Sequence, residues 1–192
     1  MKFKETRNFA SLFVFMNMLD LIKINTKSPE YHFVETLMHS AFPPDERRDG
    51  SQQRQIVDGN GQMRCLVIKD GDVNVGFFTL WTLSAISYVE HFAIAEQFRR
   101  RGYGTLALTE LIRMSDGGKL ILEVELPSTE ETVGRISFYE KCGFSLSSRP
   151  YIQPPYSPSK QSMPMSLMTC GNVSEQEIET AVDEIYRMVY KV

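Results

Sequence analysis

The chain has 192 residues, 42% hydrophobic and 23% charged, a make-up that suits one domain with a sizeable core and excludes wholesale disorder. Its formal net charge of -3 argues against a protein held on nucleic acid by its whole surface. Cys65, Cys142 and Cys170 form no CxxC pair and His32, His39 and His91 are scattered, so no disulfide framework and no metal site is expected, and a reducing, cytoplasmic setting is.

The N-terminus, MKFKETRNFASLFVFMNML, begins basic and turns apolar. Asn17 and Asp20 interrupt the apolar run and no small-x-small cleavage site follows, so residues 1–20 read as an extension and not as a membrane span. LIKINT (21–26) alternates as a first strand. Ser28-Pro29-Glu30 reads as a helix start, with Ser28 as cap, and the helix stops before Pro43-Pro44. Residues 47–57 suit a second short helix. MRCLVIKDGDVNVGFFTLW is a hairpin turning at Asp70-Gly71, and AISYVEHFAI (85–94) is the next strand.

The period then changes. Gly104, Ala107, Leu108, Leu111 and Ile112 share one face of a helix that Gly117-Gly118 ends. KLILEVEL is a strand, residues 135–142 a short helix, and FSLSS a further strand. Residues 150–164, rich in Pro, Ser and Tyr, read as a loop. SMPMSLM reads as a last strand that Pro164 limits to an edge or a bulge. Ser174 and Glu177 match a capping box, and Ile178, Ala181, Val182, Ile185 and Val189 give the terminal helix an apolar stripe. That helix (171–192) docks on its own domain (21–170) or on a second subunit of a homodimer. The fold class is mixed α/β, with one mostly antiparallel sheet flanked by helices.

QFRRRGYGT (97–105) sits where a strand hands over to a helix. Two glycines let the backbone turn sharply, and the helix start adds unpaired N–H groups and the positive end of its dipole. Arginine beside such a seat adds bidentate pairing to phosphate. The turn lacks GxxxxGK[ST], and the strands before it form a hairpin in place of a βαβ series, so neither nucleotide motif applies. A packing turn and a nucleic-acid contact are the other readings; the acidic balance opposes the second.

FAIAEQFRRRGYGT followed by FYEKCGF resembles the GNAT superfamily of acetyl-CoA-dependent N-acetyltransferases. Arg99-Arg100-Arg101-Gly102-Tyr103-Gly104 resembles its Q/R-x-x-G-x-G/A signature, and residues 138–144 its helix-to-strand segment near the cofactor's thiol. The resemblance implies that the pyrophosphate of coenzyme A sits on Arg99–Thr105 and that the pantetheine arm pairs with a splayed strand at Phe92, Ala93 and Ile94. The chain departs from the family pattern at Thr132 and Arg135, where relatives often carry Asn and Ala.

Acyl transfer to an amine has a protonation problem. An alkylammonium of pKa about 10.4 is roughly three units from neutral pH, so the free amine costs about 4–5 kcal/mol. A general base gives that proton a route. Strand alternation puts Ile86, Tyr88, Glu90, Phe92 and Ile94 on one face and His91 on the other. Glu90, among apolar neighbours, is expected to have a raised pKa and act as the base; a structural ion pair is its other reading. Glu123, sharing a face with Ile121 and Glu125, is the second candidate, with a solvated carboxylate as its alternative. The resemblance also supports Tyr139 as the acid that returns a proton to the thiolate. His91 reads as a core histidine and Cys142 as helix packing. Arg47-Arg48, Tyr151 and Tyr156 are weaker candidates for an acceptor wall.

The reading is therefore acetyl transfer from acetyl-CoA to a primary amine of a small molecule or peptide, in a ternary complex. A non-catalytic acyl-CoA sensor is the alternative.

Overall fold

A computed structural model describes residues 19–192; most of the N-terminal extension lies outside them. The strands are β1 (Asp20–Ile24), β2 (Met63–Asp70), β3 (Val73–Thr82), β4 (Ser87–Ile94), β5 (Leu120–Glu125), β6 (Phe144–Leu146), β7 (Tyr151–Gln153) and β8 (Met163–Cys170). The helices are α1 (Tyr31–Ala41), α2 (Gly50–Gly59), α3 (Tyr103–Met114), α4 (Glu130–Lys141) and α5 (Glu175–Ile185). One sheet runs β1-β2-β3-β4-β5-β8-β6, and β7 lies along the same outer edge of β8 as β6. Every pairing is antiparallel except β4 with β5.

The sheet separates two apolar cores. One face carries α1 and α5, with Val34, Leu37, Ile178 and Ile185 against Phe77, Trp81, Tyr88 and Ile121. The other carries α3 and α4, with Ala107, Leu108, Leu111 and Ile136 against Phe78, Leu80, Leu122 and Val124. β5 shows the expected alternation: Ile121 enters the first core, Leu120, Leu122 and Val124 the second. A helix pair on each face of this mostly antiparallel sheet leaves both faces covered, which is why these strands carry apolar residues on both sides.

Several local expectations are corrected. Ser28 does not cap α1; its hydroxyl accepts from the Asn25 amide and its carbonyl from the Tyr31 amide, so residues 25–31 close a turn before the helix. The second helix begins at Gly50, three residues late, because Pro44–Glu46 forms a separate 3-10 turn. α4 begins earlier than residue 135: Thr129 caps it and Thr132 completes the reciprocal box. The loop over 150–164 contains β7.

β8 is an interior strand, yet Pro164 obeys the rule for proline. Pairing with β5 starts at Met165, so at Pro164 only β7 lies alongside. The Ser174–Glu177 box caps α5 as expected. α5 packs on its own sheet, and a π-helical turn, Tyr186–Tyr190, continues it with Val189 and Tyr190 in the same core.

Candidate functional site

β4 and β5 run parallel for a short distance only. Ser87–Val89 pair with Leu120–Leu122, and beyond that the strands part. A cleft of about 830 Å³ opens in the gap. The cause lies in β4. Thr79 of β3 faces His91 and Leu80 faces Val89, so Glu90 is an extra residue, a β-bulge. A bulge bends its strand and increases the twist, which swings the end of β4 away from β5.

The bulge overturns the expected alternation. Glu90 and His91 both point to the α1 face. Glu90 accepts a hydrogen bond from Trp81 Nε1 at 2.9 Å, and the His91 ring stands edge-on to Phe42 at 4.7 Å. Phe92 and Ile94 are on the opposite face, where Phe92 stacks on Phe78 at 4.4 Å. At the far end of β4, a Cβ on Gly76 would lie 2.4 Å from the Ala93 carbonyl oxygen, so only glycine lets β3 follow β4 there.

The Ile94–Tyr103 connection is the stretch expected to seat an anion. Arg99 Nε donates to the Ile94 carbonyl at 3.0 Å, which folds the turn back on β4. Arg100 (φ 60°) and Gly102 (φ 85°) are left-handed, and no side chain caps α3. The Leu106 amide is the first to bond back into the helix, at 3.1 Å to Gly102. The amides of Tyr103, Gly104 and Thr105 have no acceptor among the described residues, and the helix dipole adds to them. Arg99, Arg100, Gly102, Gly104 and Thr105 line the cleft, as do Phe92, Ala93 and Ile94. The side chains of Arg101 and Tyr103, expected in the same seat, do not: Arg101 is exposed and the Tyr103 hydroxyl donates to Asp70 at 2.7 Å. A Cβ on Gly104 would press on the Phe138 ring at 3.1 Å, so glycine also brings α3 close to α4. Open amides, flanking guanidinium groups and a free strand edge fit a diphosphate and an extended amide-bearing arm, the chemistry of coenzyme A.

Two carboxylates enter the cleft from its two walls, in opposite electrostatic states. The Glu90 side chain is fully buried and ion-paired with Arg48. It also accepts from Trp81 and, at 3.2 Å, from the Tyr156 hydroxyl. Burial alone would raise its pKa, but the guanidinium and these donors outweigh burial and hold it below the ordinary carboxylate value. The raised pKa expected of Glu90 is therefore corrected. Arg48, a weaker candidate for the acceptor wall, is buried and stacks over Tyr156 at 4.8 Å.

Glu123 has no cation beside it. The Tyr151 hydroxyl donates to its Oε1 and the Tyr190 hydroxyl donates to its Oε2 at 2.8 Å. Burial pushes its pKa up to about 7 against the opposing pull of these hydroxyls, and the Glu90 charge adds to the rise. The alternative of a solvated carboxylate does not hold.

Tyr139 stands on α4 within the second core, its ring 5.6 Å from Phe144. It lines the cleft, and its hydroxyl has no partner among the described residues. Burial raises its pKa above the usual phenol value, with Arg135 opposing, so it is protonated at neutral pH. At the cleft's rim Arg135 pairs with Glu125 and, at 3.0 Å, with Glu131. Glu46 stands nearby, its pKa raised by burial and by Glu125. Both departures from the family pattern thus have local work: Thr132 caps α4 and Arg135 pairs across the rim.

His91 is a satisfied core residue, with Nδ1 2.8 Å from Thr79 Oγ1 and Nε2 3.0 Å from the Glu46 carbonyl. Cys65, Cys142 and Cys170 are free thiols, and no cluster of potential metal ligands exists among the described residues. Tyr190 went unnoticed in the sequence. The apolar stripe ends at Val189 and Tyr190 falls just past it, so its only signal is an aromatic at the end of an apolar segment.

Comparison with known proteins is consistent with this geometry. A profile of the Acetyltransferase (GNAT) family matches residues 30–144. A structure from Bacteroides thetaiotaomicron, assigned to the GNAT acetyltransferases, is 35% identical, with a TM-score of 0.86 over 90% of this chain and 99% of that one. A GNAT acetyltransferase from Elizabethkingia anophelis with acetyl-CoA bound is 16% identical, with a TM-score of 0.56 over 81% and 99%. The ribosomal-protein-S18-alanine N-acetyltransferase from Escherichia coli is 19% identical, with a TM-score of 0.57 over 82% and 97%. The last two share the fold. No curated protein sequence matches the chain.

Proposed function

The chain belongs to the GNAT family of acetyltransferases, enzymes that draw on acetyl-CoA, and on that premise we propose that it acetylates a primary amine of a small molecule or peptide, with Glu123 as base and Tyr139 as acid. The observation that carries this reading is the β4–β5 gap. It brings the uncapped start of α3, the free edge of β4, Glu123 and Tyr139 to one cleft.

Acetyl-CoA supplies the acetyl group as a thioester, already activated for attack by an amine. The α3 amides with Arg99 and Arg100 would hold its diphosphate, and the backbone of Phe92–Ile94 its arm. A β4 amide in that stretch would meet the negative charge developing on the carbonyl oxygen.

Glu123 has the right basicity for the amine. A carboxylate titrating at about 7 is half ionised at neutral pH and accepts a proton far better than a surface glutamate near 4.3. Glu90, held by Arg48, is a poor acceptor and serves to fix the bulge. The balance is simple: a C–N bond forms and a C–S bond breaks. The amine proton goes to Glu123, directly or through water, and the Tyr139 hydroxyl proton goes to the sulfur. No covalent link to the enzyme is needed, and Cys142 has no base beside it to make one.

The free cysteines favour a reducing, cytoplasmic setting. No described helix is long and apolar enough to cross a membrane.

The test is thiol release from acetyl-CoA across a panel of primary amines, with calorimetry of coenzyme A binding alongside. Glu123→Gln is expected to lose at least about 10²-fold in turnover while coenzyme A still binds. Undiminished turnover would remove Glu123 as base; absence of transfer to any amine would favour an acyl-CoA sensor.

A further inference from the structure

The family profile ends at residue 144, yet the hydroxyls that hold Glu123 come from beyond it. Tyr151 stands on β7 and Tyr190 on the last turn of the chain. Each donates to a different oxygen of the same carboxylate. Two donors on two oxygens fix the plane of the carboxyl group, and with it the direction in which its free lone pairs face the cleft.

The terminal turn is built to stay in place. Arg48 Nη2 donates to the Val189 carbonyl at 2.8 Å, while the same guanidinium pairs with Glu90 at the bulge. Tyr186 donates to the Ile152 carbonyl at 2.6 Å, which ties the turn to β7. Lys191 then turns left-handed (φ 62°) and ends it. The Tyr190 ring is buried, 4.8 Å from Tyr156, so its hydroxyl has little room to swing off Glu123. The π-helical turn matters here, because its wider step changes the direction of every side chain after Ile185 relative to an α-helix.

We propose that Tyr190 is a positioning residue: its hydroxyl orients Glu123 for proton transfer, so the C-terminal turn completes the active site. This rests on Glu123 being the base. The groups that face Glu123 are Tyr88 and Glu90 from β4, Tyr151 from β7, Tyr156 from the loop after it, and Tyr186 and Tyr190 from the π-helical turn. Among them Glu90 raises the carboxyl's pKa, and the hydroxyls of Tyr151, Tyr190 and Tyr88 lower it by bonding to the charged form.

The test follows the Glu123 carboxyl directly, by NMR of protein labelled at glutamate carboxyl carbons, with Glu123→Gln to assign the signal. Tyr190→Phe removes one donor and is expected to raise the Glu123 midpoint by about one pH unit. The acid limb of kcat/KM should move up by the same amount, with the KM for acetyl-CoA changed by less than about twofold. A fluorinated tyrosine at position 190 keeps the packing and strengthens the donor, so the midpoint is expected to move down. The opposite signs separate a hydrogen bond from a loss of packing, and the second variant keeps the test valid should the first not fold. A midpoint unmoved by both changes overturns the inference alone, provided Glu123→Gln abolishes the acid limb. A Glu123→Gln enzyme that keeps its rate and its limb overturns the base assignment and this inference together.

Discussion

Glu90 and Glu123 are both cleft-lining glutamates on neighbouring strands, yet the protein treats them oppositely. Glu90 faces a buried guanidinium and stays charged. Glu123 meets only hydroxyls and titrates at about 7. What separates them is Arg48, a residue far away in sequence that the fold delivers to one carboxylate and not to the other. A cation makes a carboxylate a fixed anchor; neutral donors in a buried site make it a proton acceptor near neutral pH.

The largest expected effect breaks the anchor. Glu90→Gln leaves the buried Arg48 without its counter-charge and should cost about 3–5 kcal/mol of stability, read by denaturant unfolding. Turnover per folded molecule should fall by less than about tenfold, since Glu90 moves no proton. A variant that folds normally and loses activity by hundreds would exchange the roles of the two carboxylates.

Glu123→Gln should show the reverse pattern: about 10²-fold less turnover, with the fold retained. The pH dependence has a definite sign. As the proposed base, Glu123 must lose its proton to work, so kcat/KM should fall as pH drops through about 7, and the Gln variant should lack that limb. Stability runs the other way. A folded-state pKa raised to about 7 favours the neutral form, so its contribution is full below the unfolded value of about 4.3 and is lost as pH rises through 7. Melting curves from pH 4 to 8 should therefore flatten in Glu123→Gln.

Tyr139→Phe should lower turnover by about 10–10²-fold with little change in stability, because its hydroxyl has no partner to lose among the described residues. The smallest effect concerns the other end of the cleft. Arg100→Ala should weaken coenzyme A binding by about tenfold or less, as fits one exposed charge-assisted contact, and Arg101→Ala less again because it does not line the cleft. Calorimetry at two salt concentrations separates these cases. Equal losses for the two arginines would put the diphosphate outside the cleft.

The legible parts of the chain were local. The turn over 97–105 could be read because a strand, two glycines and an amphipathic period succeed one another within a few residues. The hairpin, α3, β5 and the α5 cap were readable for the same reason. Glu90's surroundings were misread because alternation holds only while a strand pairs in register. Whether it does depends on β3, and the bulge places His91 beside Glu90. β7 was hidden because its few residues gain their pairing only from β8. Tyr190 was hidden because a π-turn breaks the helical period at the point where the chain turns toward the cleft.

The sequence by itself determined most of the elements, the glycine turn before α3 and the family resemblance, since backbone geometry and amphipathic period are set by near neighbours. Tertiary structure alone decided which carboxylate is free to take a proton. That choice depends on the Arg48–Glu90 pair and the Tyr190–Glu123 hydrogen bond, which span 42 and 67 residues. A charge's pKa follows what lies within a few ångströms of it in space, and strand order and a single bulge settle that.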